Sequence, residues 1–162
     1  MTKKNTSKIT RVAMLAGVYA LFTLLPPFSG FSYGPIQIRI SEMFTVLPYL
    51  FPWAKWALYV GCILANLGSP FFLWDITIGA FATLLSGYLT EKMWSPYLAP
   101  LPPVVVNALI VSSYVSFLTS LAYPVVFAQI LVGQLISCYA LGLPLLLYLI
   151  KNPYLKERIG GD

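Results

Sequence analysis

Apolar runs separated by short polar or proline-rich breaks dominate this chain, and their lengths predict helices that cross a bilayer. The first run extends from about Thr10 to Leu25 and stops at Pro26-Pro27, which cannot continue a helix. A second covers roughly Ile40 to Phe51 and is too short to cross about 30 Å of hydrocarbon alone. It must be broken, shielded by neighbours, or extended by irregular backbone that lines a cavity. Further runs predict helices at about Trp53 to Leu67, Asp75 to Leu89, Val104 to Leu121 and Val125 to Ile150, the last kinked near Pro144. The pattern thus predicts an all-α integral membrane protein. Residues 1–162 form one transmembrane domain, a compact bundle of six transmembrane helices with a short second helix.

The breaks carry their own information. Residues 26–38 are rich in Pro, Gly and Ser, with Phe28, Phe31 and Tyr33 placed among them. An ordered loop of that length tends to be a lid or a binding loop, so an external aromatic lid is expected between helices 1 and 2. A polar, proline-punctuated connection is expected from Glu91 to Pro103.

Composition strengthens the membrane reading. The chain is 59% hydrophobic and only 9% charged, whereas a soluble globule carries about 25% charged residues. Its formal charge of +5 reads as loop charge beside lipid, since the basic residues flank the apolar runs and no basic, aromatic-interleaved cluster marks a nucleic-acid surface. The basic N-terminal head resembles that of a signal peptide. No small-residue cleavage site follows cleanly, so it reads as a retained first helix. With both termini in the cytoplasm, Lys3, Lys4, Lys8, Arg11, Lys55, Lys92, Lys151, Lys156 and Arg158 fall on the inner side, leaving only Arg39 outside. The expected location is the cell membrane.

Arg39 and Glu42 stand out because ionisable groups beside or within apolar spans are expensive and usually functional. At i and i+3 they could also simply neutralise each other on one helix face. In the predicted orientation Phe31, Tyr33, Gln37, Arg39, Glu42, Asn66, Trp74, Asp75 and Gln129 gather toward the outer ends of their helices. Carboxylates, amides and aromatic faces suit a small, planar, hydrogen-bonding and cationic ligand. Asp75 has a plainer role open to it, capping the fourth helix.

In the first helix Ala13, Ala16, Gly17 and Ala20 share one face. Small residues at that spacing admit another helix closely in lipid, either a partner protein's or one of this chain's own. Cys62 and Cys138 lie in apolar runs and read as buried small hydrophobes. With no histidine, no P-loop, no HExxH and no nucleophile elbow, neither an enzyme, a metal site, a cofactor nor an ATPase is expected within this chain. No pair of similar broken-helix halves argues for a self-sufficient transporter.

The stretch from Tyr33 to Glu42 with Leu47-Pro48 resembles the queuosine-precursor substrate-binding (S) components of energy-coupling factor transporters, the QueT type. Further similarity lies at Ala65-Asn66, Trp74-Asp75-Ile76 with Gly79, Pro102 to Ala108 and Ala140 to Leu145. The resemblance covers nearly the whole chain. It implies outside capture of a 7-deazaguanine-type substrate, adding Asn107 and Gln134 to the candidate site. Gln134 stands where an acidic residue is expected in relatives, which leaves the exact deazapurine, aminomethyl or cyano, open. Implied partners are a transmembrane coupling protein, against which the small-residue face of the first helix would press, and two cytoplasmic ATPases. Two other readings stay open: a stand-alone transporter or channel, and a structural or assembly membrane protein whose charges pair internally.

Overall fold

The computed structural model describes residues 3–24 and 38–160. The expected aromatic lid, including Phe31, Tyr33 and Gln37, lies outside the described residues. Among the described residues the chain is all-helical and has seven helical segments, one more than expected. They are α1 (Lys3–Leu24), α2 (Ile40–Tyr49), α3 (Ala54–Ala65), α4 (Phe72–Glu91), α5 (Leu101–Thr119), α6 (Tyr123–Lys151) and α7 (Pro153–Gly160). The additional one is α7, a polar helix split from α6 by Asn152 and Pro153. Four of them, α1, α4, α5 and α6, are long and apolar enough to cross a membrane. Besides α2, α3 also falls short of that length, with 12 residues.

The short second helix is a 3₁₀ helix of 10 residues with Pro48 inside it. Proline lacks the amide that an α-helical turn requires at that point. The tighter winding has a useful side effect. At about 2.0 Å per residue, ten residues reach roughly 20 Å, against about 15 Å for an α-helix. Helix α2 gains depth without gaining residues.

Two long helices are locally widened. In α4 a π turn covers Asp75–Gly79, and in α6 another covers Ile136–Gly142, just before Pro144. The irregularity expected at Pro144 therefore lies in the turn preceding the proline, where the ring disrupts the local bonding pattern. At the start of α5, Pro102 and Pro103 belong to the first helical turn rather than to the connection, because the first amides of a helix need no partner within it.

Helices α1 and α3 pack tightly. A Cβ added at Gly61 would meet the Ala16 carbonyl and the Tyr19 Cβ, both at 3.0 Å. Tyr19, Leu58, Cys62, Ala65 and Ala80 form the buried cluster joining α1, α3 and α4. Against α6 the 3₁₀ helix approaches as closely: a Cβ at Gly142 would lie 2.9 Å from the Met43 carbonyl. One end of the bundle is tied by Arg11 Nη1 donating to the Gly160 carbonyl at 2.6 Å and by an ion pair between Lys55 and Glu91. The Lys55 ammonium also stands 4.0 Å from the centre of the Tyr88 ring. Arg39 starts α2 at the opposite end of the bundle.

Candidate functional site

The 3₁₀ winding of α2 turns Ser41, Glu42 and Thr45 inward, and all three are buried. A carboxylate at that depth needs donors around it, since an isolated buried charge is prohibitively expensive. The neighbouring helices supply them. From α1, the Tyr19 hydroxyl donates to Glu42 Oε1 at 2.5 Å. From α5, the Asn107 amide donates to Oε2 at 3.3 Å. Gln134 of α6 reaches the same carboxylate, and the charge of Arg39 acts on it. The Glu42 carbonyl accepts from Thr45 Oγ1 at 2.6 Å, a bond that holds the 3₁₀ turn around the side chain.

Beside Glu42 lies a cavity of about 20 Å³, enough for one water molecule. Arg39, Glu42, Asn107 and Gln134 line it, with Cys62 from α3 and Gly79 and Thr83 from α4. Tyr114, Val111 and Ile130 close its other side. Four of the expected site residues, contributed by three helices and the residue preceding α2, thus meet at one point.

A second carboxylate adjoins this cavity. Asp75 is buried inside α4 and accepts hydrogen bonds from the Ser69 and Tyr114 hydroxyls. Helix α4 opens at Phe72, so the capping role open to Asp75 in the sequence does not apply. Arg39 stands within electrostatic reach of Asp75 as well. The guanidinium serves both acids rather than Glu42 alone.

The remaining expected residues are more scattered. Asn66 is buried, with its amide donating to the Cys62 carbonyl at 2.8 Å. Its Oδ1 has no hydrogen-bond partner, an unused acceptor one turn from the cavity-lining Cys62. Trp74 is set apart, stacked on Tyr114 at 6.0 Å and 20° in a separate cavity with Phe117 and Tyr123. Gln129 is half-buried and lines neither cavity. On α1, Ala16 and Ala20 are buried within this chain, while Ala13 and Gly17 are exposed and a Cβ at Gly17 would meet nothing within 4 Å.

The candidate set drawn from the sequence omits Tyr19 and Tyr114, and it takes Thr83 only as part of the family resemblance. Each is a hydroxyl in the middle of an apolar helix, and that was the available signal. A buried hydroxyl in lipid needs a partner, and those of Tyr19 and Tyr114 find the two carboxylates. Among the described residues no group of three His, Cys, Asp or Glu is placed to hold a metal ion.

Comparison with known proteins places the chain in a family. Over 86 residues, 52% of this chain, the sequence is 36% identical to the queuosine precursor transporter QueT of Lactococcus lactis subsp. cremoris (strain MG1363). That alignment spans about half the relative's length, 50%. No solved structure matches the chain. The pattern of the QueT transporter family matches residues 9–151, from α1 to the end of α6. With nearly every helix inside that match, the chain belongs to the QueT transporter family, a family of membrane transporters and not of enzymes.

Proposed function

We propose that this protein is the substrate-capture subunit of an ATP-driven importer, binding a 7-deazaguanine-type precursor of queuosine at the Glu42 cavity. The observation that carries the reading is a buried carboxylate held between Tyr19 and Asn107, with Arg39 and Gln134 beside it. A deazaguanine presents a flat edge of amide and amine donors, and a carboxylate flanked by amides is the complementary acceptor set. Its selectivity would follow from polar groups that lose partners when the wrong ligand binds. The substrate named for the Lactococcus lactis relative, a queuosine precursor, supports this class of ligand.

In this reading six helices cross the cell membrane with both termini cytoplasmic, and the cavity opens outward. The 26–38 segment closes over the ligand, with Phe31 and Tyr33 as its covering rings and Gln37 among its polar contacts. Trp74, Asp75, Asn66 and Gln129 form the outer approach. A transmembrane coupling protein meets the Ala13 and Gly17 side of α1, and two cytoplasmic ATPases drive release. Small-molecule pockets typically hold about 300–1,000 Å³. A cavity of about 20 Å³ must therefore widen as ligand enters.

One observation favours a second reading. Both Glu42 oxygens already have protein donors, as an internally paired structural carboxylate would. Purification from cells supplied with the precursor separates the two, with co-bound small molecules identified by mass spectrometry. A bound deazaguanine retained by the native chain and lost from Glu42→Gln supports capture. A chain that carries no ligand, and whose melting temperature does not respond to added precursor, supports the structural reading.

A further inference from the structure

A groove of about 390 Å³ runs between α1, α2, the last turns of α6 and α7, away from the Glu42 cavity. Its walls are apolar, with Met14, Phe44, Leu145 and Leu149 facing one another across it. Among the described residues its charged lining is Arg11 and Arg158, with no carboxylate. Glu157, the acid adjacent to Arg158, lines a different cavity beyond Phe51. Arg11 is fixed in place, since Nη1 donates to the Gly160 carbonyl at 2.6 Å and Nη2 to Ser7 Oγ at 3.0 Å. A guanidinium has five N–H donors, so these two bonds leave others for a ligand.

Trp53 adds an independent sign. Its ring lines the groove and stacks on Phe51 at 5.9 Å, yet its indole N–H is buried and has no hydrogen-bond partner among the described residues. Buried indole N–H groups usually find an acceptor. An apolar trough, two cations with no facing carboxylate among the described residues, and a buried indole donor together describe the shape of an anionic amphiphile. In the orientation proposed above, the groove lies at the cytoplasmic end of the bundle, which faces the anionic leaflet.

We propose that this groove holds one anionic phospholipid, its acyl chain along Met14, Phe44 and Leu149 and its phosphate between Arg11 and Arg158. The lipid headgroup supplies the acceptors that the two guanidinium groups and the Trp53 N–H can use. A zwitterionic lipid fits the trough equally well but gains less from the arginines, because its own ammonium opposes them.

Native mass spectrometry tests this with full-length protein released from vesicles of equal phosphatidylglycerol and phosphatidylcholine. One phosphatidylglycerol per chain is expected to be retained. The double variant Arg11→Gln/Arg158→Gln should retain it about thirtyfold less, roughly fivefold for each arginine. Since Arg11 also ties α1 to α7, Met14→Trp provides a second test. Met14 is 67% exposed, so this variant should fold normally while its ring fills the trough and displaces the lipid. Lys92→Gln, outside the groove, should leave retention unchanged, and added inorganic phosphate should not displace the lipid. Equal retention of the two lipids, or undiminished phosphatidylglycerol on both groove variants, overturns the proposal and leaves the groove to a protein partner.

Discussion

The Tyr19 hydroxyl of α1 and the Glu42 carboxylate of α2 meet at 2.5 Å, both fully enclosed by the bundle. This bond ties the helix that carries the small-residue face to the residue proposed to hold the ligand. Removing it should affect the two states differently. Tyr19→Phe strips a donor from a buried carboxylate, which costs about 1.5–3 kcal/mol of stability in the ligand-free protein. A ligand donor can then take the vacated position. The variant should therefore melt lower alone and show a larger ligand-induced rise in melting temperature than the native chain. An unchanged rise would mean that the ligand never approaches Oε1.

Glu42→Gln has the opposite signature. The amide keeps the shape of the side chain but gives up the charge-assisted bonds, so precursor affinity should fall roughly ten- to a hundredfold. Calorimetric titration of detergent-purified protein measures this directly. If the variant binds as tightly as the native chain and only its stability changes, the carboxylate is structural.

The burial pattern of α1 separates two kinds of substitution that its sequence treats alike. At Ala16, 1% exposed and packed against Gly61, a Trp must displace α3. The destabilisation should be at least about 1–3 kcal/mol. At Gly17 an added Cβ meets nothing within 4 Å among the described residues. Gly17→Trp should therefore leave ligand binding intact while blocking assembly with the proposed coupling protein, read as loss of uptake in cells and loss of co-purification. Assembly that survives Gly17→Trp and Ala13→Trp would place the partner on another face.

How much of this was legible in the chain follows from the physics each residue obeys. Apolar run length fixes helices because lipid offers the backbone no partners, so α1, α4, α5 and α6 could be read from spacing alone. Arg39 and Glu42 were legible as ionisable groups beside an apolar span, whereas Asn107 and Gln134 enter only through the resemblance to the QueT type. What spacing could not show was which carboxylate partners would come from distant helices. Tyr19 and Tyr114 read as ordinary interface aromatics until the fold brings them to Glu42 and Asp75. Nor does a one-dimensional pattern divide a small-residue stripe, because Ala16 and Gly17 are adjacent in sequence while only Ala16 faces Gly61. Of the two π turns, the one before Leu143 has a local signature in Pro144, whereas no proline marks the one before Ala80.

Gly79 offers the most direct probe of the cavity's size. It lies in the π turn of α4 and follows Asp75 by one turn. The backbone there is ordinary helix, φ −62° and ψ −46°, so conformational freedom is not what glycine contributes. Space is. A Cβ at this position would sit 3.2 Å from the Tyr114 Oη and 3.8 Å from Asp75 Oδ1, at the wall of the cavity that Gly79 and Tyr114 share. The Tyr114 hydroxyl is held by Asp75, so it yields only by giving up that bond or by moving its ring against Trp74. Gly79→Ala should accordingly weaken precursor binding by about tenfold or more. Its effect on melting temperature should be small, because alanine favours helix by about 1 kcal/mol over glycine and offsets the crowding. The double variant Gly79→Ala/Tyr114→Phe removes the colliding oxygen and should recover part of the affinity lost by Gly79→Ala alone. Binding that is native-like in Gly79→Ala would show that the ligand does not occupy the side of the cavity bounded by α4, and would move the proposed site toward Asn107 and Gln134.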